Sequence, residues 1–235
     1  MEPNITEKRA VDDRAGHRQR LRERFARNGL GGLQEHEAVE LLLSYAIMRR
    51  DVKPLAKALL RQYGSVEKLL DAPAAELVGQ HGMGQSSALL FRLVRELCAK
   101  YLEQRARDVN VLDDPGSIED FARMKLGGSS RETLMTIYLN ARSHIIGYEL
   151  TPGTVNRAAI YLRELVKQAL LCNAVAVVLA HNHPSGICLP SPEDLKLTAS
   201  VRIALATFGI RLVDHLIVTP AECRRLGPEP DLTAP

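Results

Sequence analysis

A chain of 235 residues has room for one large domain or two small ones. Apolar residues make up 46% and charged residues 25%, which suits a buried core under a polar surface. The apolar runs fall far short of the roughly 20 residues of a membrane helix, and the N-terminus lacks a secretory signal pattern, so we expect a cytoplasmic protein. The net charge of +3 does not by itself imply nucleic-acid binding.

After a polar stretch over residues 1–13, which we expect to be a tail, the first predicted element is a basic helix over residues 14–27, in which arginines far outnumber acidic residues. A helix of this kind can lie on phosphates, and Arg18 and Arg22 are the candidate nucleic-acid contacts. The alternative is a solvated helix that buries only a thin apolar stripe. The sequence leaves both interpretations open.

Five more helices are predicted in this half, and a glycine turn separates the last two. Gly82 and Gly84 flank Met83 in that turn, which resembles a helix-hairpin-helix. Glycine permits the tight turn and leaves N–H groups at the next helix free to face a phosphate, which would hold DNA without reading its sequence. The alternative is a turn whose glycines serve packing. The helices are predicted over residues 36–48, 52–63, 66–70, 74–78 and 86–105.

A polar stretch with Asp-Asp-Pro-Gly predicts a linker over residues 107–116. It divides a helical domain, residues 1–106, from a second domain, residues 117–225, and a tail covers residues 226–235. Helices and strands are mixed in the second domain, which predicts an α/β sandwich. Its helices are predicted over residues 117–126, 160–171 and 192–208, and its strands over residues 132–140, 145–150, 174–180 and 209–219.

A candidate metal site follows the apolar strand that ends at residue 180. His181 and His183 stand two positions apart, so their side chains share one face of an extended segment. Pro184 ends the strand, a loop turns the chain back, and Asp194 follows at the start of a helix. Two imidazoles and one carboxylate are a typical Zn²⁺ set, and three protein ligands leave a fourth position for water. The same set also suits iron, and the alternative is two strand histidines near an aspartate that caps a helix.

The pattern His-x-His-Pro-x6-Ser-x2-Asp matches the motif of the JAMM (MPN+) metalloproteases. The local form His-Asn-His-Pro-Ser-Gly closely resembles bacterial RadC-type proteins, and residues 35–101 resemble their helical N-terminal region. The resemblance therefore covers nearly the whole chain. It implies an α + α/β fold: an all-helical helix-hairpin-helix domain followed by a JAMM/MPN+ (cytidine-deaminase-like) α/β sandwich. It also implies a Zn²⁺ cofactor on His181, His183 and Asp194.

The resemblance further implies a base and an oxyanion donor. Glu132 matches the family's general base by position, with Glu149 and Glu164 as rivals. The Ser191 hydroxyl, three residues before Asp194, would donate to a developing oxyanion. His215 on the last strand is expected to be a satisfied histidine rather than a fourth ligand, and Cys188 a passive loop thiol.

Taken together, the sequence predicts a RadC-type zinc-dependent hydrolase of peptide or isopeptide bonds with a DNA-associating helical module. The alternative is a non-catalytic DNA-binding or DNA-repair accessory protein with a structural zinc. One departure from the family bears on the sheet edge: the segment after residue 219 differs from the closing strand usual there. We therefore expect a shortened edge.

Overall fold

The structure, a computed structural model, describes residues 5–48, 50–153 and 158–227. The chain divides into two compact units, Met1–Arg95 and Glu96–Pro235. This division falls before the predicted domain end at residue 106, and Val111 of the predicted linker is buried in the core of the second unit. Residues 228–235, most of the predicted tail, lie outside the described part of the chain.

The first unit is helical, as predicted. The basic helix begins well before residue 14, and a 3-10 turn over Gly29–Gly32 separates it from the next helix. Gly64 ends the third helix at a φ of +84°, and the Ser65 hydroxyl caps the fourth by accepting from the Lys68 N–H at 3.2 Å. The helices are α1 (Ile5–Asn28), α2 (Glu35–Ala46), α3 (Lys53–Tyr63), α4 (Val66–Asp71), α5 (Ala74–Val78) and the first part of α6 (Gln85–Asp108), which continues past the end of this unit at Arg95.

Apolar residues at helical spacing converge on one core in this unit. Leu43 and Leu59 are fully buried there with Leu69, Leu77 and Phe91. Each such side chain contributes roughly 1.5–3 kcal/mol by leaving water. Since α4 and α5 are too short to be stable alone, this shared core is what holds them in place.

The second unit is a five-stranded mixed sheet with helices on both faces, which confirms the predicted fold class. The strand order is β2-β1-β3-β4-β5; β3 and β4 are parallel and joined through α9, and the other pairs are antiparallel. The sheet edge does carry a short closing strand, β5, of three residues. The elements are α7 (Pro115–Leu126), β1 (Thr133–Leu139), β2 (Ile145–Pro152), α8 (Ala158–Leu171), β3 (Ala176–Asn182), α9 (Pro192–Ala206), β4 (Arg211–Val218) and β5 (Cys223–Arg225).

The central strand β3 is buried along its whole length. On one face of the sheet Val178 packs with Phe121 of α7, and on the other Leu179 packs with Leu165 of α8 and Val201 of α9. Burial on both faces explains why the strand reads as a continuous apolar run rather than an alternating one. The strand is therefore a rigid support for the polar residues at its end.

No helix among the described residues combines the length and the apolar character that crossing a bilayer requires.

Candidate metal centre

Two elements bring the candidate ligands together: the end of β3 and the first turn of α9. His181 lies within β3 and His183 follows it, so both imidazoles leave the strand on one side. Asp194 is the third residue of α9, whose N-cap is Ser191. One side-chain atom from each of the three ligands lies within 4.8 Å of the others, the only such group found in the described part of the chain.

The ligand atoms form a tight triangle. Nε2 of His181 lies 2.8 Å from Nε2 of His183 and 3.1 Å from Oδ1 of Asp194. Nε2 of His183 lies 3.4 Å from Oδ2 of Asp194. His181 and Asp194 are buried, so little water reaches these atoms. Electron-rich atoms this close repel one another unless a cation or a proton lies among them.

The loop after β3 fixes the ring of His183. Nδ1 of His183 lies 2.7 Å from the carbonyl oxygen of Ile187. Because a carbonyl only accepts, Nδ1 carries the hydrogen, and the lone pair of Nε2 faces the position between the three candidate ligands. This is the tautomer in which a histidine binds a metal through Nε2.

The start of α9 fixes the carboxylate of Asp194. Ser191 donates to Oδ2 of Asp194 twice, from its hydroxyl at 2.7 Å and from its backbone N–H at 2.8 Å, and its hydroxyl accepts from the Asp194 N–H at 3.2 Å. This reciprocal arrangement is a capping box built with aspartate. Ser191 thus orients a candidate ligand, and its predicted oxyanion role stays a prediction.

The environment keeps Asp194 ionised. Burial alone would raise the pKa of its carboxyl group, but hydrogen bonds from His181 and Ser191 outweigh burial and hold that pKa well below its usual value. A nearby helix N-terminus also favours negative charge at this position. The carboxylate is therefore ready to bind a cation at neutral pH.

Glu132 lies one residue before β1 and is exposed. In the β1–β3 ladder Leu134 is the partner of His181, so continuing the register places Glu132 at the level of His183 on the neighbouring strand. Its carboxylate is not a member of the ligand group found among the described residues. The base role of Glu132 stays a prediction that its place in the sheet favours.

The rival glutamates have partners of their own. Glu149 on β2 accepts from the Tyr138 hydroxyl at 3.1 Å. Glu164 on α8 pairs with Lys167 at 3.1 Å. By register Glu149 is opposite Thr136, two positions further along β1 than Leu134, the partner of His181.

Asn182, between the two histidines, has a role that the sequence did not reveal. Its Oδ1 accepts from the Thr133 N–H at 2.8 Å, and its Nδ2 donates to the carbonyls of Ser129 and Arg131, each at 3.1 Å. These bonds bind the segment around Glu132 to β3. In the sequence, the only sign of this role is that Asn182 lies on the strand face opposite the ligands. The sequence does not indicate which groups its amide would bond.

His215 and Thr198 also lie beside the ligands. The Nε2 atom of His215 is 2.8 Å from Nδ1 of His181, and its Nδ1 atom is 2.6 Å from the Thr198 hydroxyl. His215 is not a member of the ligand group but hydrogen-bonds to one of its histidines. Burial lowers the pKa of His215 to about 3, so the ring is neutral. Thr198, four residues after Asp194, was not singled out in the sequence.

Cys188, in the loop between the ligands, is not a member of the ligand group found among the described residues. Its thiol is buried and donates to the carbonyl of Ile217 at 3.2 Å. Burial raises the pKa of this thiol, which keeps it protonated and unreactive. The loop thiol therefore packs the loop against β4.

In the helical unit, the candidate phosphate contacts have partners within the unit. The Arg18 guanidinium donates to the backbone carbonyls of Ile47, Met48 and Arg50. The guanidinium of Arg22 lies over the Tyr45 ring, 5.3 Å from its centroid. Contact of these two arginines with nucleic acid stays a prediction.

The glycine turn between α5 and α6 has the predicted backbone. Gly82 has a φ of +93°, which favours glycine strongly, and its carbonyl accepts from Arg50. The Gly84 N–H donates to the Ser87 hydroxyl at 2.9 Å. Because that N–H is already bonded, a phosphate at this turn would need another donor, and DNA contact at Gly82 and Gly84 stays a prediction.

Comparison with known proteins matches both parts of the chain. A RadC-like JAB domain matches residues 112–226, and the UPF0758 N-terminal model matches residues 14–89. A UPF0758 protein of Burkholderia mallei is 39% identical over 198 residues, 84% of this chain and 71% of the relative. A UPF0758 protein of Fusobacterium nucleatum is 34% identical over 215 residues, 88% of this chain and 93% of the relative.

Proposed function

Because this chain belongs to the UPF0758 family, whose C-terminal part is a RadC-like JAB domain, we propose that it is a metal-dependent hydrolase of peptide or isopeptide bonds. The observation that carries this proposal is the convergence of His181, His183 and Asp194. Their resemblance to the JAMM ligand set supports amide hydrolysis as the reaction class.

The donor set fits a divalent metal. Two imidazole nitrogens and an ionised carboxylate converge within 4.8 Å, and the Ile187 carbonyl leaves the Nε2 lone pair of His183 facing the group. We propose Zn²⁺, although two histidines and one carboxylate also suit iron. Held by these three residues, zinc would leave one position for water, would lower the pKa of that water toward about 7 and would polarise a carbonyl oxygen.

Side chains next to the three candidate ligands would carry out proton transfer and oxyanion stabilisation. Glu132 would take the proton released from the attacking water and return it to the leaving amine. Ser191 has one hydroxyl proton, which Asp194 accepts at 2.7 Å, so orienting the ligand and stabilising an oxyanion compete for the same proton. Losing an oxyanion donor typically costs about 2.7–4 kcal/mol of transition-state stabilisation.

Metal analysis of the parent protein and of Asp194→Ala, together with hydrolysis of a mixed library of peptides and branched isopeptides, tests the proposal. We expect about one bound metal per parent chain, little in the variant, and cleavage that a chelator abolishes and Zn²⁺ restores. Asp108→Ala, which removes an exposed carboxylate elsewhere, is the control for purification. A parent protein that binds no metal, or cleavage that survives the chelator, would overturn the proposal.

Association of the helical unit with DNA is a second proposal. What supports it is the resemblance of the Gly82–Gly84 turn to a helix-hairpin-helix and the positive φ of Gly82. The internal bonds of Arg18 and of Gly84 count against these residues as the contacts. Under this proposal the helical unit would bring the hydrolase to proteins on DNA; a repair or recombination accessory with a purely structural zinc is the alternative.

A further inference from the structure

A buried chain of hydrogen bonds lies behind the ligand His181. His215 on β4 has an exposed fraction of 0% and places Nε2 at 2.8 Å from Nδ1 of His181. Nδ1 of His215 lies 2.6 Å from the hydroxyl of Thr198, and that hydroxyl lies 2.6 Å from the backbone carbonyl oxygen of Asp194. His215 and Thr198, which are not ligands, thus connect the two candidate ligands His181 and Asp194.

The backbone carbonyl of Asp194 determines which group donates in each of these hydrogen bonds. A carbonyl oxygen only accepts, so the single hydroxyl proton of Thr198 points to Asp194. Thr198 then accepts from Nδ1–H of His215, which leaves Nε2 of His215 to accept from Nδ1–H of His181. The opposite direction would hold two oxygens 2.6 Å apart with no proton between them. His181 therefore keeps its Nδ1–H toward His215, and its Nε2 is the nitrogen that a metal ion would take in place of the proton that faces Asp194.

The fold holds both Thr198 and His215 in place. Thr198 is one helical turn after Asp194, so its hydroxyl reaches back to that carbonyl. The backbone of His215 is a rung of the parallel β3–β4 ladder, and its carbonyl also accepts from the Leu226 N–H at 2.9 Å. The Asp214 carboxylate accepts from the His215 N–H at 2.8 Å. Neither ring nor hydroxyl has to move for the chain to form.

We propose that His215 and Thr198 are positioning residues of the metal centre. They hold His181 as the Nδ1–H tautomer, in the ring orientation that presents Nε2 to a divalent metal. This inference rests on the proposed metal site, because it assigns a role toward that metal. Outer partners of a ligating histidine typically account for about 10- to 100-fold in metal affinity.

Thr198 offers a matched pair of variants. Thr198→Val keeps the branched shape and removes the hydroxyl, whereas Thr198→Ser keeps the hydroxyl and removes a methyl group. A residue that serves packing alone would be harmed more by the loss of the methyl group. A residue that serves the hydrogen-bond chain would be harmed more by the loss of the hydroxyl.

The experiment titrates Co²⁺ into the full chain after metal removal, following the visible absorption bands, and then displaces it with Zn²⁺. We expect Thr198→Val to bind about 10- to 100-fold more weakly, with altered bands, and Thr198→Ser to stay close to the parent. Thermal unfolding of each metal-free protein separates loss of affinity from loss of fold. If Thr198→Val does not fold, Thr198→Ala is compared with Thr198→Ser by the same readings.

The outcomes separate this inference from the function it rests on. A parent chain that binds neither ion overturns the metal site, and the positioning role with it. A parent chain that binds while both variants bind equally well overturns only the positioning role. Weak binding by Thr198→Ser, with Thr198→Val close to the parent, also overturns it, because packing would then be what matters.

Discussion

The side chain of Asn182 and the backbone of Thr133 join the two strands that carry the candidate site: Oδ1 accepts the Thr133 N–H at 2.8 Å. The same side chain donates to the carbonyls of Ser129 and Arg131, so it holds the segment that leads into Glu132. Asn182 itself points away from the ligands, because it alternates with His181 and His183 along the strand. Its hydrogen bonds therefore link the strand that carries His181 to the segment that carries the predicted base, Glu132.

Asn182→Ala should lower turnover while leaving metal binding close to that of the parent. The variant removes the partner of the Thr133 N–H and of the Ser129 carbonyl, whereas the Arg131 carbonyl still accepts from the Ser129 hydroxyl at 2.8 Å. We therefore also expect a loss of about 1–3 kcal/mol in the free energy of unfolding. Metal content, turnover on the cleaved peptide and urea unfolding measure the three effects. If the variant loses stability but its turnover equals that of the parent, Asn182 has no role in positioning the predicted base.

Glu132→Gln should keep the metal and lose hydrolysis, because the amide cannot accept the proton from water. General-base catalysis typically supplies about 10²- to 10⁴-fold in rate, so turnover should fall by that factor. Glu164→Gln tests one rival base; because that carboxylate pairs with Lys167 on the surface of α8, we expect this variant to retain full turnover. If Glu149→Gln is inactive instead, the base assignment moves to that residue.

Ser191→Ala should affect both the helix and the metal centre. Loss of the cap should cost about 0.5–2 kcal/mol in the free energy of unfolding. At saturating metal we expect turnover to fall further, by about 10²- to 10³-fold, since the oxyanion donor is missing. Ser191→Thr keeps the hydroxyl, so we expect it to retain most of the stability and most of the turnover of the parent. Full turnover by the alanine variant at saturating Zn²⁺ would leave Ser191 only its orienting role.

Acid should weaken the helical unit through Glu37. The hydrogen bond from Arg24, with the backbone N–H of Gln34, lowers the pKa of Glu37 from 4.5 to about 2. A depressed pKa means that the stabilisation is complete above pH 4.5 and is lost as the pH falls from there toward 2. Arg24 is exposed to solvent, which screens the pair, so we expect the loss of stability to be small. Glu37→Gln should remove this pH dependence in amide exchange of α2; an unchanged profile would contradict the assignment.

Arg18→Ala should destabilise the helical unit rather than remove a phosphate contact. The guanidinium donates to three carbonyls between α2 and α3, and its loss leaves them without a donor. Anisotropy of a labelled DNA duplex at several salt concentrations, with urea unfolding, separates the two roles. A salt slope lower by about 0.9, with unchanged stability, would show a phosphate contact instead. Arg92→Ala, on the exposed surface of α6, is the control for general charge loss.

The amino-acid sequence by itself determined the elements and the donor set. Periodicity predicted the order of helices and strands, since a helix or a strand depends on neighbours within a few residues. Helix ends are equally local: Gly64 ends α3 and Ser65 caps α4. The metal motif was also readable, because His181 and His183 share a strand face and Asp194 lies a short loop away. The family resemblance followed from the same local pattern.

Only the tertiary structure decided which residues support those donors. His215 meets His181 because β4 joins the sheet in parallel beside β3, and Thr198 reaches His215 because α9 connects these two strands. Asn182 meets the start of β1 across 49 positions of sequence. A hydrogen bond between residues so far apart depends on strand order and register, which local sequence does not encode, whereas a helix cap or a strand face depends only on adjacent residues.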